Sequence, residues 1–556
     1  MLSTFLTGTG IISTHLLVFH TGLLCWDSAD RRSAKSVALT CRAMYNPAMN
    51  ALWYKLPDID LMVVSFPIDM WHGSDYDDSV ASVGGLPSVH LNRKLSFEES
   101  ARLARNLERV RIIRGRGSPY KRRFVVAPDA FELLGNALGN HSSPLFPGLR
   151  EFEWDWSGYM PGSLTRVLCF LPRRLEVLGI IAGDRMHESE VLKEIRTTVA
   201  HAAELFPSLK SLHCPYNSGF ELHQEFFTNI MRLPNLRTYG SSLPASTLHE
   251  LRLLGRHPTL QNLTFELLQQ HTVEISFQPR SLFPSLRTIT MQNARSLANP
   301  ISIVRSILSA SLVEMNVSLP PVPLLASQLK AWLESLECHG KLQKVSLQTA
   351  PFTEALEEPE TDGVVDASHL TPLLSLRYLT HVMLEPVAGL VFQLSDDTIR
   401  TLAKAWPQLE TLHICSSSSV LDRRPEVTLM GLSFLAQHAR RLKSVKLSVD
   451  IMRPTDRELD VLKMIPSHPL SKLELFYGLP MQDPAQIAEC GEIIYGLFST
   501  LEAFDCTCHA LRLEFGGREE MWEDWEDLRG RVRGLCGLPL VTESERAAQE
   551  EYDGGW

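Results

Sequence analysis

Three clusters of side chains in this 556-residue chain have the types and spacing that chemistry needs. Cys506, Cys508 and His509 form a Cys-x-Cys-His run, the types that make part of a tetrahedral metal site. No second cysteine or histidine pair stands at finger spacing, because Cys490 and Cys536 are isolated, so no metal or other cofactor is expected. From Arg102 to Arg123 nine residues are basic and Glu108 is the single acid, a density suited to phosphate, RNA or an acidic peptide. Tyr120 is the one aromatic in that stretch. A solvated helix face followed by the loop RGRGSPYKRR is the simpler reading, and nucleic acid is not an expected partner. Residues Glu354–Asp366 hold six acids and no base, as an extruded acidic loop does.

Catalytic signatures are missing. The chain has no G-x-x-x-x-G-K-[ST], no G-x-G-x-x-G between strand and helix, no H-E-x-x-H and no G-x-S-x-G. The expectation is a chain that binds and does not catalyse.

The elements that must position any binding side chain come from a recurrent phrase. It reads FPGLREFEW at Phe146, FPSLKSLHC at Phe206, LPNLRTYGS at Leu233, HPTLQNLTF at His257, FPSLRTITM at Phe283 and WPQLETLHI at Trp406. The shared skeleton is Leu-x-x-apolar-x-apolar, with proline two residues before the leucine. From Leu149 to Leu501 the anchor leucines cover 352 residues in 12 steps, a mean of about 29, which is the period of leucine-rich repeats. The apolar-x-apolar core predicts a short strand with its flanking side chains inward and its middle one outward. Between strands, His187–Leu205 and Ser395–Trp406 carry helical periodicity, and Ser395 stands as an N-cap before an acidic first turn. No repeat buries its own apolar face, so the stack is the folding unit. The predicted fold is α/β: an irregular leucine-rich-repeat solenoid, a curved parallel sheet with outer helices.

Composition agrees. Hydrophobic residues make up 44% and charged residues 21%, near globular averages, and the net charge of −10 gives no pull toward polyanions. The ten cysteines are scattered and read as reduced thiols of a cytoplasmic or nuclear protein. Met1–Trp26 lacks charge but is too interrupted for a signal peptide or a bilayer span, so no membrane association is expected.

Residues Asp30 to Leu56, DRRSAKSVALTCRAMYNPAMNALWYKL, resemble the second half of an F-box as found in fungal F-box proteins with leucine-rich repeats. The matching positions are Ala38, Leu39, Cys41, Arg42, Ala43, Pro47, Ala48, Leu52, Trp53 and Leu56. The family's opening Leu-Pro pair and acid are missing from GIISTHLLVFHTGLLCW at Gly10. The spacing puts Val37, Cys41 and Met44 on one helical face. Ala48, Leu52 and Leu56 continue the stripe after a break at Pro47.

The resemblance implies a substrate-recognition subunit of an SCF-type (cullin-RING) ubiquitin ligase. Leu39, Cys41, Arg42, Leu52 and Trp53 would meet a Skp-type adaptor, and through it a cullin, while the repeats would hold a protein substrate. The alternative is a repeat scaffold with a vestigial F-box, outside any ligase. The expected organisation is an F-box-like segment at 1–60, then a linker and helical cap at 61–145 with the basic loop and a first repeat near 107. The solenoid follows at 146–515 with the acidic insertion 354–366, and an acidic helix and frayed tail close the chain at 516–556.

Counting from each anchor, the outward residues are Arg111, Glu153, Gly179, His213, Gly240, Thr264, Thr290, Asn316, Ser346, Met383, His413, Lys446, Glu474 and Asp505. Two bases and three acids suit a partner of mixed polarity. Charge reversal at Lys446 and Glu474 is expected to weaken capture and to cost little stability.

Overall fold

The computed structural model describes residues 28–57, 59, 71–73, 88–91, 93, 95–114, 125–126, 144–155, 163–181, 188–214, 224–245, 248–267, 281–320, 324–349, 363–387, 390–416, 425–451, 454–476, 484–507 and 520–538. Two compact units divide at Leu254 and Gly255.

The first unit opens with two helices, α1 (Ser28–Thr40) and α2 (Arg42–Tyr54). The turn between them falls at Cys41, whose backbone is extended, and not at Pro47, which lies inside α2. Alanines explain the close packing: Ala34 and Ala38 of α1 and Ala48 and Ala51 of α2 are all buried. Leu56 leaves the helix and enters a strand, β1 (Lys55–Leu56). A small separate sheet joins β2 (Trp71–Gly73), β3 (Ser88–Leu91) and β5 (Val125–Val126), which the sequence pattern did not reveal. The main sheet of this unit is parallel and runs β1, β4 (Ile112–Ile113), β6 (Glu151–Asp155), β7 (Val177–Ile181), β8 (Ser211–Cys214) and β9 (Thr238–Ala245). Helices α3 (Phe97–Leu107), α4 (Ser163–Leu168), α5 (Glu188–Leu205), α6 (Gln224–Met231) and α7 (Leu248–Gly255) alternate with these strands. The sheet therefore begins at Lys55, inside the segment expected to be only helical.

The second unit continues the same plan in β10 (Asn262–Leu267), β11 (Thr288–Gln292), β12 (Glu314–Leu319), β13 (Lys344–Thr349) and β15 (His381–Val387). Strands β17 (Thr411–Ser416), β18 (Ser444–Ser448), β19 (Lys472–Phe476) and β20 (Ala503–Thr507) complete its parallel sheet. Its helices are α8 (Ala298–Ser306), α9 (Ala326–Leu336), α10 (Ala367–Leu370), α11 (Asp396–Ala405), α12 (Leu429–His438), α13 (Asp456–Lys463), α14 (Pro484–Leu497) and α15 (Glu520–Leu535). A two-strand ladder of β14 (Val364–Val365) and β16 (Val391–Phe392) closes the end of the acidic stretch, whose residues 354–362 lie outside the described residues. Terminal helix α15 buries Leu528 and Val532 and contacts α14 and β20, so it covers the last repeat. This is an α/β leucine-rich-repeat solenoid.

Each part of the repeated phrase has a mechanical role. Phe146, Phe206 and Trp406 accept a hydrogen bond from the anchor leucine three residues on, closing a β-turn. Proline suits the second place of that turn because its φ is already fixed and no donor is needed there. The anchors Leu149, Leu209, Leu286 and Leu409 are fully buried. The carbonyl just after each anchor then accepts two N–H groups from the next repeat. Arg150 serves Glu176 and Val177, Arg287 serves Val313 and Glu314, and Glu410 serves Lys443 and Ser444. These shared acceptors set the register before the strand begins.

The turn slot three before the anchor tolerates rings with a donor. His339 and His468 occupy it or its neighbour, buried, with Nε2 facing the carbonyls of Val304 at 3.3 Å and Ala439 at 3.0 Å. Trp406 Nε1 likewise donates to the Leu373 carbonyl at 3.1 Å. Ser395 caps α11, its hydroxyl accepting from the Thr398 N–H. Asp396 reaches across to cap α12 by accepting from the Thr428 N–H at 2.8 Å.

Candidate functional site

Two surfaces carry the candidate residues. The first is the α1–α2 hairpin. Its inner seam is alanine, so its larger apolar side chains point elsewhere. Leu39 is 76% exposed, Tyr45 46% and Tyr54 49%. Cys41 and Arg42 are exposed too, whereas Leu52 and Trp53 are half-buried. Tyr45 and Tyr54 stand nine residues apart on α2, on opposite sides of the helix, so Leu39, with its high exposure, is the main apolar point the hairpin offers.

The hairpin is clamped to the first repeat by Arg109, just beyond α3. Its guanidinium donates from Nε to Asn50 Oδ1, from Nη2 to Asn46 Oδ1 and from Nη1 to Asn106 Oδ1, each at 2.9 Å. One planar fork thus fixes α2 against α3. Neither asparagine was singled out in the sequence. Their spacing of four residues, on the helix face opposite the apolar stripe, was the available signal.

The second surface is the outward row of the sheet. In the first unit the pairing runs Glu153, Gly179, His213, Gly240. In the second it runs Thr264, Thr290, Asn316, Ser346, Met383, His413, Lys446, Glu474, Asp505. Flanking side chains such as Leu412 and Ile414, or Leu473 and Leu475, are buried. Most row residues are partly exposed, while Gly179 and Ser346 are buried. Glycine has no side chain to raise, and Ser346 is short between Asn316 and Met383.

Arg111 does not belong to this row. Ile113 pairs with Phe152, so the anchor of the first repeat is Val110 and its outward residue is Arg114. The sequence pattern takes Leu107 as the anchor, and the pairing of Ile113 with Phe152 moves it to Val110. Arg111 instead supplies the shared acceptor carbonyl for Arg150 and Glu151. Arg114 sits beside the next row residue, with its Nε donating to Glu153 Oε2 at 3.2 Å.

From β15 to β20 the row becomes a polar network. His413 Nδ1 lies 2.5 Å from Glu385 Oε1, and its Nε2 lies 2.8 Å from the Ser444 hydroxyl. Lys446 lies 3.3 Å from Glu474 and 3.9 Å from Glu385. Arg529 of α15 reaches Asp505 at 3.3 Å. Burial pushes the Glu385 carboxyl up, yet the His413 hydrogen bond and the Lys446 charge outweigh it and hold the group below its usual range. Burial also lowers Lys446, and the carboxylates of Glu474 and Glu385 more than reverse that. Below them the Cys415 thiol is pushed well up by burial, which makes it a packing group. Glu385 was missed in the sequence, although it continues the period of two from Met383.

The Cys506–His509 run is not a gathered site in what can be described: Cys508 and His509 lie outside the described residues. So do the loop from residue 115 and the tail beyond residue 538. Among the described residues no three histidine, cysteine or carboxylate side chains gather to hold a metal, and no helix is long and apolar enough to cross a membrane.

No protein-family model matches the chain, and no curated protein does. Among solved structures the chain is similar to one in the crystal structure of the Rad7 and Elc1 complex in yeast. Identity is 16% and the TM-score 0.32, over 62% of this chain and 73% of that one. A likeness so distant bears no weight for activity or partners.

Proposed function

We propose that this chain is a non-catalytic substrate receptor that docks a Skp-type adaptor on the α1–α2 hairpin and a protein substrate on the outward row of its repeats. The observation that carries this reading is the division of labour within the chain. A hairpin that exposes Leu39 at 76% is held by Arg109 to a repeat stack that presents an ordered polar row. One chain that carries both the adaptor and the substrate raises the effective concentration of a substrate lysine for ubiquitin transfer by other subunits.

Co-expression with a Skp-type adaptor tests it. The wild-type chain should co-purify with the adaptor. Leu39→Asp should abolish the complex and leave the unfolding of the repeats unchanged, because Leu39 is exposed. Trp53→Ala should weaken the adaptor by about 2 kcal/mol, or about thirtyfold, as loss of an aromatic anchor does. A folded wild-type chain that never captures the adaptor favours the scaffold reading instead.

A further inference from the structure

The residue just after each anchor lies where the strands begin, and in the first unit these residues form a charged column. The Arg150 N–H donates to the Arg111 carbonyl, that of Glu176 to Arg150, that of Lys210 to Glu176 and that of Arg237 to Lys210. The five positions stand on neighbouring strands, so the column is about 19 Å long at about 4.8 Å per step. Four of the five are basic and one is acidic. Arg150, Lys210 and Arg237 are exposed, while Arg111 and Glu176 are half-buried. In the second unit the same position is balanced, with two bases, Arg287 and Lys443, against two acids, Glu410 and Glu502.

The positive surplus survives a count of the neighbours. Glu176 lies 2.7 Å from Lys210 and 3.9 Å from Arg150, so one carboxylate faces two cations. The Arg111 guanidinium donates to the carbonyls of Glu108 and Val110, and Arg237 has no ion-pair partner among the described residues. Of the flanking acids, Glu151 acts on Lys55, and Glu204 is held by Arg232 at 3.3 Å. Glu108 is offset in number by the exposed Arg173, at the same place in its own turn. Steps of about 5 Å are shorter than the screening length of about 8 Å at physiological salt, so the four bases act together.

We propose that this strip binds an extended acidic segment of a protein partner. Two carboxylates meet Arg111 and Arg150, uncharged residues cross Glu176, and two further carboxylates meet Lys210 and Arg237. Six extended residues span about 20 Å, the length of the strip. A polynucleotide fits worse, because its charge is unbroken where Glu176 stands and none of the five residues is an aromatic on which a base could stack. The inference goes beyond the receptor reading and does not depend on it, since no residue of the strip belongs to the hairpin or to the outward row.

The test uses the full chain and fluorescein-labelled acetyl-Glu-Glu-Gly-Gly-Glu-Glu-amide, followed by fluorescence anisotropy at low salt. The glutamate peptide should bind, its glutamine counterpart should not, and binding should weaken as salt is raised. Lys210→Glu with Arg237→Glu should weaken binding at least about tenfold, and both side chains are exposed, so the fold should tolerate the change. Glu176→Gln should act in the opposite sense and tighten binding about threefold, because it removes the carboxylate that competes for Lys210 and Arg150. Arg287→Glu, at the same position in the second unit, should change nothing. Equal binding of the glutamine peptide, indifference to the double reversal, an equal loss from Arg287→Glu, or displacement of the peptide by hexauridylate RNA overturns the inference. Adaptor co-purification reads the receptor claim separately: the doubly reversed chain should lose the peptide and still capture the adaptor.

Discussion

Two stretches of the second unit's sheet share a backbone and differ in what they show the solvent. Along β10 to β13 the row reads Thr264, Thr290, Asn316, Ser346 and carries no charge. Along β15 to β20 it reads Met383, His413, Lys446, Glu474, Asp505, with Glu385 bound into it. The row residues pair in register through both, with one shift beyond Leu384 where β15 meets β17, and both rest on fully buried anchors such as Leu286 and Leu409. The inward half of each strand is constrained by packing, while the outward half can change its chemistry without moving the frame. The chemistry of the outward face can therefore vary from repeat to repeat on one inward frame.

The largest expected effect tests whether the frame is common to both stretches. Leu286→Ala and Leu409→Ala should each cost about 2–5 kcal/mol, since each empties a fully buried site. Urea unfolding followed by tryptophan fluorescence would read it. A cost in one stretch far below the other would mean that the two do not share one core, and the comparison would fail at its base.

Next in size is the charged stretch alone. The side chains of Lys446 and Glu474 are only 20% and 17% exposed, so the sequence-based expectation that their reversal is nearly free does not hold. Lys446→Glu sets a third carboxylate beside Glu385 and Glu474 and should cost about 2–3 kcal/mol. Lys446→Glu together with Glu474→Lys restores one opposite-charge pair and should recover about half of that. A double substitution no better than the single one would show that the two residues act independently, despite their 3.3 Å contact.

How much of this was legible beforehand follows from what each feature depends on. The period of the leucines showed the solenoid, because stacked repeats cannot hide their spacing. The outward row was legible from β6 onward for the same reason, since the period of two in a strand leaves no freedom once an anchor is set. It failed at Arg111, where the pattern takes Leu107 as the anchor and the pairing of Ile113 with Phe152 moves it to Val110. The hairpin break was misplaced at Pro47, which stands sixth in α2: a proline there removes one helical N–H donor, and the helix runs through it to Tyr54. Partnership across repeats was beyond reach: Arg109 meets Asn46 and Asn50 about sixty residues away in sequence.

Acid should separate the two kinds of buried polar group. For Glu385 the folded carboxyl lies below its free value of 4.5, so its contribution is present above that pH and is lost as pH falls through the folded value. His468 is lowered below 6.5, first by burial, so its ring folds neutral. Its contribution is present above pH 6.5 and is lost as pH falls toward the lowered value. Stability measured against pH should therefore decline in two steps. His468→Phe should shrink the upper step, to which the lowered His381 and His438 also contribute. Glu385→Gln should shrink only the lower one, which it shares with other lowered carboxylates such as Glu176 and Glu410.

The smallest effect lies in the uncharged stretch, and there the prediction is of tolerance. Thr264→Val and Thr290→Val keep the β-branched shape that a strand favours and remove a half-exposed hydroxyl. Thr290 Oγ1 accepts from Asn316 Nδ2 at 3.3 Å, but the same amide also reaches Glu314 Oε1 at 3.0 Å, so the donor keeps a partner when the hydroxyl is gone. Water can satisfy what remains, because Asn316 is not buried. Each change should stay within about 0.5 kcal/mol in the same urea experiment. A cost above about 1 kcal/mol for Thr290→Val would mean that Thr290, Asn316 and Glu314 form a coupled network as tight as the one around Glu385. The contrast between the two stretches would then be one of charge alone, not of rigidity.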